Sequence, residues 1–453
     1  MKQWTPQQVA QAAGASLIGT PSILSGPERV TIDSREAGPG ALFVGLPGAH
    51  RDGGAFAAPA LAAGAWGVLT TLAHARTAAR SEAAGVVLIA PDPLRALQSL
   101  AGAWRRELKA EVIAITGSTG KTSTKDLLLA LLAPQRRTVA SRANFNTEIG
   151  LPLEILAAPP GTEVLVLEMG MRGAGQIAEL AEIAEPDVAV IVSVGPVHLE
   201  LMGTVEAVAA AKAELIAALK ADAIAIIPAH EPLLEPHRRT DIRIVTFGDG
   251  GDVRLLSQDD SHVVIEGQGE RIELEVPFPQ DHLRRNLLAA VAAARAVGVT
   301  AQGRVKLVLS AGRGETVQLP GGVTVIDGCY NANPMSMQAA LSDLAATATR
   351  TGATRRVAVL GDMLELGPQA RAYHERLGEL ANEAQVDLLV TVGPLAQAIA
   401  GRFGKQTLSL ADAAQAAQAV PELIESGDVV LIKGSLGVGL KAVCLALGVG
   451  VVA

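Results

Sequence analysis

Short runs of β-branched and leucine residues alternate with longer alanine- and leucine-rich stretches along most of the chain. Val112–Thr116, Val164–Glu168, Val188–Val194 and Ala223–Ile227 read as buried strands, with helical spacing of apolar residues between them. That alternation predicts parallel-sheet α/β units. Residues 1–91 form a first unit, with strand-like pieces at Ala41–Leu46 and Val86–Ile89 among many glycines. A helix over Leu94–Leu108 leads into a second unit, 92–310. Between Phe247 and Pro279 the pattern turns polar and alternating, predicting a small β excursion before a helix over Leu283–Val297. The third unit, 311–453, repeats the alternation with strands at Val323–Asp327, Arg356–Leu360, Asp387–Val392 and Asp428–Lys433.

Composition narrows the class. At roughly 150 residues per domain, 453 residues agree with three units. With 49% apolar residues the chain has ample material for real cores, which excludes wholesale disorder. Its net charge is −8 and aromatics are only 2%, so nucleic acid is not expected as a partner. A small anionic ligand remains compatible, because local dipoles bind anions against the net charge. Two cysteines, Cys329 and Cys444, exclude a disulfide scaffold and a Cys-rich zinc module, and fit a reducing cytosol. Met1–Ala13 lacks the features of a signal peptide. The late apolar run Ala442–Ala453 is too short to span a bilayer and reads as a last helix and tail.

The clearest chemistry lies in Ile115-Thr116-Gly117-Ser118-Thr119-Gly120-Lys121-Thr122-Ser123, between a buried strand and a helix over Thr122–Leu132. Gly117 and Gly120 let backbone N–H groups approach phosphate oxygens without a Cβ, and the helix N-terminus adds partial positive charge. Lys121 is placed to reach β/γ-phosphates and Thr122 to ligate Mg²⁺. Ile115 stands where the usual pattern has its first glycine, so the loop is a shortened variant.

Other polar residues follow strands, where α/β sheets place ligands. Glu168 ends an apolar strand, and His198 lies just beyond Val188–Val194. The third unit carries Asp327, then Tyr330-Asn331-Ala332-Asn333-Pro334, and later Asp362, Glu365 and Lys433-Gly434-Ser435. Lys212, by contrast, sits in an alanine-rich helix. On local sequence alone it reads as a surface lysine paired with Glu214 or another neighbour.

Taken in order, the phosphate loop, Glu168, His198, Lys212, Asn286, Arg313 and Asp327 resemble the Mur ligases, the ATP-dependent amide ligases of peptidoglycan assembly. The resemblance covers essentially the whole chain and is carried further by Asn144-Phe145-Asn146, Glu168-Met169-Gly170-Met171-Arg172, Tyr330-Asn331-Ala332-Asn333-Pro334 and Leu360-Gly361-Asp362-Met363-Leu364-Glu365. It implies three α/β domains: a small UDP-binding domain, a central P-loop parallel-sheet ATPase domain and a C-terminal Rossmann-like domain.

The implied activity is ligation of D-alanyl-D-alanine to a UDP-N-acetylmuramoyl-tripeptide. Alternatives are a relative that adds a single amino acid, or a P-loop protein that binds nucleotide without catalysis. The resemblance places Gly117, Ser118, Thr119, Gly120, Lys121, Thr122, Ser123, Asn286, Arg313 and Asp327 at ATP. It places Asp33, Ser34, Arg35, Phe43, Asn144 and Asn146 at the uridine substrate, and Tyr330, Asn331 and Asn333 at the dipeptide. Lys121, Glu168, His198 and Lys212 would be catalytic. Thr122, Glu168, His198 and Lys212, the last as its carbamate (N6-carboxylysine), would hold Mg²⁺. A monomeric cytoplasmic enzyme without membrane insertion is expected. The chain departs from the family pattern at Leu283, Gly328 and Leu436. At Leu436 it lacks an arginine, a planar two-pronged clamp for carboxylates.

Overall fold

The computed structural model describes residues 1–19, 23–80, 84–142, 144–310, 312 and 314–450. Each of the three expected α/β regions builds its own sheet. The first has strand order Ser16–Ile18, Val86–Ile89, Gly67–Thr70, Ala41–Val44, Arg29–Thr31. Only the pairing of Ser16–Ile18 with Val86–Ile89 is antiparallel.

The second sheet is centred on Glu111–Thr116, which lies between Val164–Glu168 and Val188–Ile191, all parallel. Both neighbours therefore end on the same edge as the glycine loop, which brings Glu168 and residues 192–198 beside it. Burial on both faces explains the unbroken apolar runs of these strands. The expected β excursion is not separate. Val253–Gln258 joins this sheet by a parallel pairing at Phe247, His262–Gly267 and Glu270–Glu275 follow as antiparallel pairs, and Gly303–Arg304 brings the total to ten strands. Tight hairpins let a chain keep adding strands at one edge, so no new core is required.

The third sheet has six strands, ordered Glu315–Leu319, Val323–Gly328, Asp428–Lys433, Arg355–Gly361, Leu388–Val392, Gln406–Leu410. All but the first pair are parallel. One expected strand ends early. The strand begun at Val188 stops at Ile191, because Ser193 turns to brace the glycine loop. The last helix runs Lys441–Ala446, closed by Gly448 and Gly450 in left-handed conformations.

The first two regions share one apolar core. Leu42, Trp66 and Leu88 of the first pack in a continuous cluster with Leu97, Trp104, Leu151 and Leu167 of the second. Trp104 is fully buried, stacks edge-on against Trp4 at 5.4 Å and donates its Nε1–H to the carbonyl of Ala158 at 3.0 Å. The third region keeps its own clusters around Leu341, Leu360 and Val430. It meets the second region through polar contacts and a few apolar ones, Met335 against Gly195 and Tyr373 against the shared cluster. The third region thus shares no large apolar core with the other two. Among the described residues, no helix is long and apolar enough to cross a membrane.

Candidate active site

Gly120 takes φ +80° and starts the helix Lys121–Leu132 without a side-chain cap. A Cβ there would lie 2.7 Å from Oδ1 of Asn286 and 2.8 Å from Val192, so both backbone conformation and space require glycine. Asn286, almost fully buried, thus sits against the loop, where a nucleotide held by the loop would meet it. Ser193 braces the loop. Its carbonyl accepts the Ser118 N–H at 3.0 Å and its hydroxyl oxygen accepts the Thr119 N–H at 2.9 Å. The Ser118 hydroxyl donates to the carbonyl of Gly195 at 3.0 Å. Lys121 curls back, its Nζ 2.7 Å from the carbonyl of Gly117. Ser123 is buried one residue into the helix beyond Thr122.

Thr122 and Glu168 meet as their positions predict. The Thr122 hydroxyl donates to Oε2 of Glu168 at 2.8 Å, and the Asn146 amide donates to Oε1, also at 2.8 Å. Asn146 was expected at the uridine substrate, yet its side chain serves this carboxylate. Ser141 completes the arrangement by accepting the Glu168 N–H at 3.0 Å. A buried carboxylate beside a threonine hydroxyl supplies hard oxygen donors, the kind that suit Mg²⁺, while the Asn146 amide orients the carboxylate.

Lys212 is not the surface lysine its helix suggested. It is 2% exposed, and Glu214 instead accepts the backbone N–H groups of Gly175 and Ala178. Burial, with the positive charge of Lys121 added, holds the Lys212 amine well below its ordinary pKa. Desolvation penalises the charged form of the amine.

His198 has φ +53°, and its Nδ1 hydrogen-bonds Oε2 of Glu365 from the third region. An ionised carboxylate only accepts, so Nδ1 carries the proton and Nε2 is the lone-pair nitrogen. Burial lowers the His198 pKa; Glu365 opposes the shift, and Lys121 and Lys212 reinforce it.

In the third region, Asn333 caps the helix Pro334–Thr351 through Oδ1 and donates Nδ2 to the carbonyl of Ser118 at 3.4 Å. Expected at the dipeptide, its amide is instead occupied at both ends. Met335 follows and presses on Gly195, where a Cβ would lie 2.1 Å from its sulfur. Asn331 is exposed and Tyr330 partly so, and the Asn331 carbonyl accepts from Lys433 Nζ at 2.7 Å. Asp327 was expected to reach ATP. It is fully buried, with one oxygen accepting the Cys329 N–H and the other paired with Lys441 at 2.8 Å. It therefore holds the turn instead of facing the cleft. Arg313 lies outside the described residues.

At the first sheet, Asp33 and Arg35 form an exposed pair after the strand Arg29–Thr31. The hydrogen bonds from Arg35 hold the Asp33 carboxyl at about 2. Ser34 is half-buried in the same turn, and Asn144 is exposed. Phe43, expected to touch the uridine substrate, is 1% exposed and packs with Ala37, Leu61 and Val68. Its ring belongs to the core.

Profiles of the Mur ligase family match all three regions: the family catalytic domain over 28–105, the middle domain over 115–294 and the glutamate ligase domain over 312–436. The chain is 35% identical to UDP-N-acetylmuramoyl-tripeptide–D-alanyl-D-alanine ligase of Bacillus subtilis, over 91% of this chain and 92% of that one. It belongs to the Mur ligase family. The fold of this Mur ligase is also that of MurF from Acinetobacter baumannii, with a TM-score of 0.88 at 29% identity over 98% of each chain. MurF of Thermotoga maritima, solved in complex with ADP, superposes with a TM-score of 0.80 at 30% identity, covering 92% of this Mur ligase and 96% of that chain.

Ser141 and Ser193 of the site were missed in the sequence. Ser193 carried a weak signal, a hydroxyl directly after a strand. Glu365 lies in a segment that helped identify the family, but nothing local marked it as a partner of His198.

Proposed function

We propose that this Mur ligase joins D-alanyl-D-alanine to UDP-N-acetylmuramoyl-tripeptide, converting ATP to ADP and phosphate through an acyl phosphate. The observation that carries this reading is the contact of Asn333 with the Ser118 carbonyl. It seats the turn that begins at Tyr330 on the phosphate loop. A protein that only binds nucleotide has no use for a second region at that point, whereas a ligase must bring its acceptor amine to the acyl phosphate formed beside that loop.

The tripeptide carboxylate attacks the γ-phosphorus and ADP leaves. The ammonium of Lys121 moves from Gly117 to the phosphates, and the loop N–H groups offset charge as it builds. Thr122, Glu168, His198 and a carbamate on Lys212 would hold Mg²⁺, which neutralises charge on the transferring phosphate. The carbamate fits the Lys212 environment: a neutral amine adds CO₂ and releases a proton. The dipeptide amine then attacks the acyl carbon, phosphate leaves, and the amine proton is lost to solvent. An acyl phosphate hydrolyses in water, so closure of the third region protects it.

Asp33, Ser34, Arg35 and Asn144 stand as uridine-substrate contacts, Asn286 as an adenine-side contact, and Tyr330 and Asn331 as dipeptide contacts. We place the enzyme in the cytoplasm as a monomer, with domains at 1–91, 92–310 and 311–453. The test is ADP release that requires both the tripeptide nucleotide and D-alanyl-D-alanine. Equal release with a free amino acid would favour a ligase that adds one residue, and ADP release indifferent to both substrates would end the ligase reading.

A further inference from the structure

Two non-glycine residues in left-handed backbone conformations face each other across the cleft: His198 at φ +53° and Glu365 at φ +63°. Each conformation is disfavoured for an L-residue, and such strain persists where surrounding structure enforces it. The enforcing contacts are visible. The Glu365 carbonyl accepts the Glu200 N–H at 3.1 Å, on the short helix that His198 begins. Gly367 approaches the same segment so closely that a Cβ would lie 3.2 Å from Glu200 Cα.

The Glu365 carboxylate takes the Nδ1–H of His198 and lies 3.6 Å from Arg172, also of the second region. Its own loop is held from behind. Met363 N–H donates to the fully buried His374 at 2.9 Å, and Leu364 N–H to Ser435 at 3.0 Å.

We propose that Glu365 is the positioning residue through which closure of the third region completes the metal site. It acts on His198 and touches neither nucleotide nor metal. A carboxylate on Nδ1 fixes the ring orientation and leaves Nε2 as the ligand nitrogen, the arrangement by which outer carboxylates tune metal-binding histidines. Because Glu365 and His198 belong to different regions, this support exists only in the closed arrangement. An open cleft leaves His198 without its orienting partner, so full metal loading waits for closure. This inference rests on the reading of His198 as a metal ligand.

The test uses the full chain with Glu365→Asn and Glu365→Gln. Asparagine adopts the left-handed backbone readily but is too short to reach His198. Glutamine keeps both reach and an acceptor. Binding of ADP with and without Mg²⁺ is measured by calorimetry, independently of turnover, alongside the Mg²⁺ half-saturation of ADP release. Glu365→Asn should raise the Mg²⁺ requirement about tenfold or more while leaving Mg²⁺-free ADP binding unchanged. Glu365→Gln should recover most of the loss.

Combined with His198→Ala, Glu365→Asn should add nothing further to the Mg²⁺ requirement. Additive losses, or an unchanged requirement in Glu365→Asn, would overturn the proposal. Wild-type ADP binding indifferent to Mg²⁺ would remove both the proposal and the metal reading beneath it. Mg²⁺-dependent ADP binding without ligation would leave the proposal standing and remove only the ligase reading.

Discussion

The amide of Asn146 donates to Glu168 at 2.8 Å, on the oxygen that Thr122 does not use. Glu168 thus has each carboxylate oxygen held by a neutral donor, in a position a cation would share. Asn146→Ala should therefore act on catalysis and metal use. We expect kcat to fall about 10–100-fold, as for loss of a group that orients a metal-binding carboxylate, with KM for the uridine nucleotide nearly unchanged. Initial rates at several Mg²⁺ concentrations decide this, and a pure KM effect would return Asn146 to the substrate site.

Lys212 should carry a carbamate. Native intact mass in bicarbonate buffer should show the added CO₂, and Lys212→Ala should lose about 10–100-fold or more in kcat. Full activity in that variant, with no dependence on CO₂ in the wild type, would show that the buried amine serves packing alone.

Gly120→Ala should abolish nucleotide binding while leaving the protein folded. The new Cβ would collide with Asn286 and Val192 in a backbone conformation that alanine avoids. Titration with ADP, beside a circular dichroism spectrum matching wild type, checks both parts.

Asp343 predicts a pH effect on stability. It is buried on the helix Pro334–Thr351, and burial raises its carboxyl from 3.8 to about 6 despite help from Arg350, Gln280 and Thr347. Asp281 adds to the rise. Between about pH 4 and 6 the native state binds more protons than the unfolded chain. Stability from this group is present below pH 4 and lost as pH rises through 6. Asp343→Asn removes the titration, so its stability relative to wild type should grow by up to about 3 kcal/mol from pH 4 to pH 7. Urea unfolding at both pH values measures the difference, and a constant gap would contradict the assignment.

What local sequence encoded, it encoded because the elements are contiguous. A buried strand, a glycine loop, Lys121, Thr122 and a helix follow one another without interruption, so their geometry is a property of one short segment. Glu168 was legible for a related reason: a charge at the end of an apolar strand has only the sheet edge to occupy. Partnership was not legible. His198 and Glu365 are 167 residues apart, and Asn146 meets Glu168 because the strand before it, Thr138–Ala140, lies parallel beside Val164–Glu168. Burial was likewise decided by the tertiary fold. Lys212 and Phe43 were each given the wrong surroundings, since desolvation depends on what packs around a side chain from distant parts of the chain. The sequence by itself determined the phosphate loop and the three α/β regions. Tertiary structure alone decided which polar groups face one another across the cleft.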